Sequence, residues 1–263
     1  MTKLSWGDPG DRLYENGVDR GVLYVDDQGY AWNGLLSVEE KSSGGEVRDL
    51  FIDGVKYAET TGVENFEGTI EALSSPDAFA DCDGSGQVIP GLYATHQIRK
   101  YFGMSYRTMV GNDVDGQNHG YKIHVLYNVR AGDSERKNET INSNDPIAFS
   151  WPITTIPVEH AGIRPTAHFV IDSTEIAADI LLVLENTLYG TSTSDPYLPS
   201  FEDLVALIAT GPTFSVVDNG DGTFDMTGNS SMFTVIDATT IDVSVDSAAI
   251  SVVDANTYDL SSY

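Results

Sequence analysis

The residues with the clearest chemical spacing lie in the stretch DCDGSG. Asp81, Asp83 and Ser85 present oxygen atoms at positions 1, 3 and 5, with Gly86 at position 6, as at the start of an EF-hand calcium loop. The twelfth position is Leu92, where such a loop needs a bidentate glutamate. Calcium is therefore the lesser reading of this stretch, and a structural loop the greater. A second acidic run, DNGDG at Asp218–Gly222, has ligand types but the spacing of a hairpin turn. The five histidines form no HExxH and no zinc ribbon. His119 and His124 fall on opposite faces of an extended strand, and a proline-containing turn separates His160 from His168. Solvent-facing or hydrogen-bonded histidines are expected, and zinc is not.

No pattern for covalent or phosphoryl chemistry appears. There is no GxSxG elbow, and Gly84-Ser-Gly-Gln lacks the lysine of a phosphate-binding loop. Carboxylate pairs such as Glu39-Glu40 are abundant because the chain is acidic. The stretch RKYFGMSYR at 99–107 alternates cations with aromatics, which fits base stacking but fits a strand better, with the cations paired to acids across a sheet. The reading is a non-enzyme with no catalytic residue and no cofactor.

The charge supports that reading. Against 40 acids stand 14 Lys and Arg, a formal charge of −26 over 263 residues, which disfavours binding to a phosphate backbone. The distribution is uneven. Residues 1–164 hold all 14 bases and 25 acids, whereas residues 165–263 hold 15 acids and no base. Acids in that second part have no Lys or Arg nearby in sequence and are expected to face water. Cys82 is the single cysteine, so no intrachain disulfide can form. The N-terminal segment lacks the pattern of a signal peptide and no run reaches membrane-spanning length, so the sequons at Asn138 and Asn229 are expected to be unused.

The elements that must carry these residues are mostly strands. Short β-rich runs bounded by turn residues occur at Val22–Val25, Tyr30–Val38, Glu46–Ile52, Val55–Thr60 and Phe66–Leu73, with Asp53-Gly54 as a two-residue hairpin turn. A long loop, about 74–94, holds a helix-start signal at Ser74-Ser-Pro-Asp and the DCDGSG stretch. Two strongly alternating strands follow. Arg99–Val110 places Phe102, Met104, Tyr106, Thr108 and Val110 on one face, and Tyr121–Val129 does the same with Tyr121, Ile123, Val125, Tyr127 and Val129. Further strands are expected at Glu135–Ile141, Ile147–Thr155 and Ala167–Asp172. A helix capped by Ser173 or Thr174 should run to Tyr189 and stop at Gly190, and a shorter one should start at Ser200 and end at Gly211-Pro212. Short alternating strands fill the remainder, including a hairpin of Thr213–Val217 with Thr223–Thr227.

Six segments in register resemble a known family. LSWGDPGDRLYENGVDRGVLY at 4–24, AWNGLLSVEE at 31–40, YFGMSYRTMVGND at 101–113, GYKIHVLYNV at 120–129, IAFSWPITTIPV at 147–158 and RPTAHFVIDST at 164–174 are similar to the major tail protein, or tail tube protein, of siphoviruses infecting actinobacteria. The resemblance covers residues 1–210; residues 211–263 resemble the short β-rich tails appended to some members. It implies a mainly β chain: a tail tube fold, with a two-sheet antiparallel β-sandwich and a flanking α-helix over residues 1–210 and a small all-β appendage at 211–263. It also implies homohexameric rings that stack into a tube through an extended hairpin or loop and the N-terminal arm. Partners would be further copies of itself and the tape measure, tail tip and tail terminator proteins. Genomic DNA would pass through the lumen without specific binding, the place would be the virion tail, and assembly would occur in the host cytoplasm. An acidic wall would keep DNA from adhering. The rival readings are a β-sandwich adhesin or receptor-binding module of a virion or cell surface, and a carbohydrate-active enzyme with paired acids.

Overall fold

The structure is a computed structural model that describes residues 6–134, 146–160 and 162–210, together with the backbone of six short strands between 214 and 259. The strand expected at Glu135–Ile141 lies outside the described residues. Two compact units are present, Met1–Thr174 and Glu175–Tyr263. The fold is mainly β, and its strand pairs are antiparallel, as expected.

In the first unit the strands are β1 (Tyr14–Val25), β2 (Gln28–Ala31), β3 (Leu35–Ser43), β4 (Val47–Ile52), β5 (Val55–Thr61), β6 (Asn65–Ala72), β7 (Gly86–Ile89), β8 (Leu92–Ala94), β9 (Phe102–Asn112), β10 (Gly116–Ala131), β11 (Phe149–Thr155), β12 (Val158–His160), β13 (Ile163–Thr166) and β14 (His168–Asp172). Eight of them make one sheet in the order β2-β1-β9-β10-β11-β6-β3, with β14 also paired to β10. The expected two layers are halves of this single sheet. Strand β10 belongs to both, because its 122–126 stretch pairs with β14 and its 129–131 stretch with β11.

Local chemistry explains several joints. Asp26 and Asp27 link β1 to β2 with φ of 51° and 62°, as do Asp53 and Gly54 between β4 and β5 with φ of 52° and 80°. Both are two-residue turns in the left-handed region, whose twist matches that of the flanking strands. The run Tyr30–Val38, read above as one strand, is broken. Trp32 turns inward, its Nε1 donates to the Ser74 carbonyl at 2.8 Å, and Gly34 takes φ +87°, where a Cβ would meet Ser74 Oγ at 2.8 Å. The chain thereby leaves one edge of the sheet and returns as β3 at the other.

The core gathers Leu23, Trp32, Ile70, Met104, Leu126 and Trp151. The long loop 74–94 plugs it. After a 3-10 turn at Asp77–Phe79 and the short helix α1 (Ala80–Asp83), Phe79 sits fully buried with ring centroids 4.8 Å from Trp32 and 5.3 Å from Trp151. Burying a phenylalanine side chain contributes about 2–3 kcal/mol.

On β9, Phe102, Met104 and Tyr106 turn to the core as the alternation requires. On β10 the alternation fails. A register shift between Leu126 and Val129, with Asn128 at φ 49°, puts Leu126 and Val129 on the same core-facing side, opposite Met104 and Phe102. An extra residue in one strand reverses which parity faces inward, so the expected face from Tyr121 to Val129 is split at this bulge.

In the second unit α2 spans Ala178–Tyr189 and α3 spans Phe201–Thr210. The first starts later than expected because its cap candidates are engaged elsewhere. Ser173 Oγ accepts the Tyr121 N–H at 2.8 Å, and the Thr174 N–H and Oγ–H both go to Asp172 Oδ1. It stops at Gly190, φ +77°, as expected. Ser200 Oγ accepts the Asp203 N–H at 3.2 Å and caps α3. Strand pairs Phe214–Asp218 with Phe224–Gly228 and Phe233–Asp237 with Thr240–Val243 follow. No described helix is long and apolar enough to cross a membrane.

Candidate functional site

Two features of the first unit stand out: a polar cluster inside the folded sheet and an apolar ribbon outside it. The cluster begins with the β9–β10 register, which sets Tyr106 opposite His124. Their rings stack at 4.6 Å with 7° between planes. Strand β14 sets His168 opposite Leu126, diagonal to His124, and His168 Nε2 lies 3.1 Å from His124 Nδ1. From the facing strand β3, Glu40 reaches in, with Oε1 3.2 Å from His124 Nδ1, and accepts a 2.6 Å hydrogen bond from the Tyr106 hydroxyl. Thr108 Oγ1 lies 3.1 Å from His124 Nε2.

Burial pushes both imidazoles below the usual histidine range, His168 to about 4, and burial with the Glu40 carboxylate pushes the Tyr106 phenol up. Glu40, His124 and His168 are a group whose donor atoms all lie within 4.8 Å of one another. Sequence reading missed it. The three positions are 84 and 44 residues apart, and no local spacing announces them. Glu40 had appeared only as half of an adjacent pair; strand alternation sends Glu39 to the opposite face.

The stretch Asp81, Asp83, Ser85 does not converge. Asp81 and Asp83 lie two apart on α1, which turns their side chains about 200° from each other. Asp81 Oδ2 pairs with Lys100 Nζ at 3.0 Å, and the Ser85 N–H closes the helix onto the Ala80 carbonyl. This is a helix C-terminus with Gly84 at φ +85°. The cations of RKYFGMSYR pair with acids: Arg99 with Asp133 at 2.8 Å, Lys100 with Asp26 at 3.2 Å, and Arg107 with both oxygens of Asp19 at 2.7 and 2.6 Å. Arg107–Asp19 is the cross-strand pair that the strand reading requires, whereas Arg99 and Lys100 precede β9 and pair with acids in turns and loops.

The ribbon is the continuation of β3 and β6 beyond the sheet. Ser43 pairs with Asn65; then Gly44 and Gly45 on one strand and Gly62 on the other interrupt the ladder, which resumes at Val47 with Thr61 as β4 and β5. Gly44 has φ +93°, so the interruption is a glycine joint. Beyond it, Leu50 opposes Ala58 and Ile52 opposes Val55 on one face. On the other face Lys56 pairs with Asp49 at 2.6 Å and with Glu59. Leu50, Phe51, Ile52, Val55 and Tyr57 are all exposed. Among the described residues β4 and β5 pair only with each other, and an isolated two-stranded ribbon is marginal in water.

No family model matches the chain, and no curated protein sequence matches it. Among solved structures it is similar to a chain of an extracellular contractile injection system, the PVC sheath-tube complex in its extended state, at 14% identity and TM-score 0.31, covering 58% of this chain and 88% of that one. It is similar to a chain of the anti-feeding prophage tube-terminating cap at 8% identity and TM-score 0.32, covering 66% and 97%. A third likeness is to Hcp1 from Flavobacterium johnsoniae at 14% identity and TM-score 0.28, covering 59% and 100%. Likenesses this distant say nothing of what this chain binds or assembles with.

Proposed function

We propose that the chain is a structural subunit of a phage tail tube, forming homohexameric rings that stack into a conduit for DNA, with residues 1–210 as the tube-forming part. The observation that carries this reading is the β4–β5 ribbon. An amphipathic hairpin set off by a glycine joint, with Leu50, Ile52 and Val55 exposed, has an apolar face that needs a surface to cover it. Its occupant in this reading is the next copy of the chain. The sheet offers matching edges: among the described residues, β2 pairs only with β1 and β3 only with β6. Open edges are what neighbouring copies would join to close a ring. The resemblance over residues 1–210 names the kind of assembly, and the −26 charge suits a wall along which DNA slides without release of its counterions. The tape measure, tail tip and tail terminator proteins would be its other partners in the virion.

Electron microscopy and sedimentation velocity of the purified chain test this. Hollow sixfold rings or tubes are expected, and a Leu50→Asp, Val55→Asp double variant should leave the circular dichroism spectrum intact while stopping stacking. A chain that stays monomeric at all concentrations, or a double variant that assembles as well as the parent, would overturn it.

A further inference from the structure

We propose that Glu40, His124 and His168 bind one divalent transition-metal ion of the zinc type, which pins strand β3 to the β10–β14 side of the folded sheet. Two imidazole nitrogens and a carboxylate oxygen are the donor set such ions take. All three donor atoms lie within 4.8 Å of one another, and the two separations through His124 match a tetrahedral site. Metal-to-donor distances of about 2.0–2.1 Å in a tetrahedral site put neighbouring donors about 3.3–3.4 Å apart. His124 Nδ1 lies 3.2 Å from Glu40 Oε1 and 3.1 Å from His168 Nε2.

The proton inventory points the same way. If His124 Nδ1 carries a proton, that single proton faces two acceptors, the Glu40 carboxylate and His168 Nε2. If His168 Nε2 carries it instead, His124 Nδ1 turns a lone pair toward the carboxylate 3.2 Å away. In either tautomer one short contact lacks its own proton. A cation between the three atoms serves all of them at once.

The surroundings are those of a supported site. Thr108 Oγ1 holds the far nitrogen of His124, and the Tyr106 hydroxyl holds the Glu40 carboxylate. Partners of this kind fix the orientation of a metal's ligands. His124 is buried to 6% of its side-chain surface while Glu40 keeps 39% exposed. The cluster is therefore open to water on the Glu40 side, which supplies an entry path and a fourth ligand. The mechanical consequence follows from topology. Strand β3 is separated from β10 by β11 and β6 in the hydrogen-bonded order. A metal would join strands that share no ladder, and so hold the fold of the sheet closed.

Tag-free full-length protein, stripped with chelator and titrated with Co²⁺ and then Zn²⁺, provides the test. One ion per chain is expected, with the visible absorption of four-coordinate Co²⁺ displaced by Zn²⁺. Zinc at 100 times its dissociation constant should shift the unfolding equilibrium by about 100-fold toward the folded chain. His168→Gln and Glu40→Gln should each abolish the Co²⁺ spectrum, and Thr108→Val should weaken binding about 10-fold with the stoichiometry unchanged. His119→Gln, outside the cluster, should bind as the parent does. Glu40 is half exposed, so its variant keeps the test decisive should His168→Gln fail to fold. Absence of the spectrum in the parent, or a spectrum that survives both ligand variants or follows His119, would overturn the proposal.

Discussion

The hydroxyl of Tyr106 donates a 2.6 Å hydrogen bond to the carboxylate of Glu40, across 66 residues and between strands that share no ladder. This contact shows that β3 lies over β9, so the eight-stranded sheet folds back on itself. Removing the hydroxyl tests its worth. Tyr106→Phe keeps the ring stacked on His124 and loses only the bond to a charged acceptor, at a cost of about 1–2 kcal/mol. A lower urea midpoint with an unchanged slope is the expected result.

The histidines make the metal-free chain sensitive to acid. His168 titrates at about 4 when folded against 6.5 as an ordinary histidine, and His124 is lowered in the same direction by burial. Between those values the unfolded chain binds more protons than the folded one, so stability is complete above about 6.5 and declines as pH falls toward 4. Melting temperatures in chelator across pH 4–7 should trace that decline, and His168→Gln should flatten it.

Cys82 is fully buried, and burial, reinforced by the Asp81 charge, pushes its thiol up to about 12. At pH 8 it holds almost no thiolate and has no path to reagent. A thiol reagent should leave the folded chain unlabelled for hours and label it within minutes in denaturant.

At Gly68 the strands β3 and β6 approach so closely that a Cβ would lie 2.2 Å from the Glu39 carbonyl oxygen. Gly68→Ala must therefore push β3 away beside Glu40, its paired residue. A loss of about 2 kcal/mol or more is expected in denaturant unfolding.

The turn at Asp26-Asp27 offers the opposite sign. Asp27 sits at φ 62°, a conformation glycine adopts without steric cost. Asp27→Gly should raise stability by about 0.5 kcal/mol, with the hairpin register, read from amide-exchange protection, unchanged.

How much was legible depended on range. Strand positions in β4, β5, β6, β9 and β11, the Asp53-Gly54 turn, the Gly190 stop and the Ser200 cap all follow from residues within a few positions of one another. The late start of α2 did not, because Ser173 caps nothing and serves the Tyr121 N–H, 52 residues away. Nor did the break at Trp32, which depends on the Ser74 carbonyl.

By itself the sequence determined that this is an acidic, mainly β chain, with its bases confined to residues 1–164 and a two-residue turn at Asp53-Gly54 joining two strands. Alternation and turn chemistry are local, and they survive whatever the rest of the chain does. Only the tertiary structure decided that the sheet folds back on itself, that the bulge at Asn128 reverses the inward face of β10, and that Glu40, Tyr106, His124 and His168 meet. The bulge depends on the register of β10 against its neighbour β9, and the other two outcomes on strands distant in sequence. A shift of one residue in any of them would turn the same side chains to the other face.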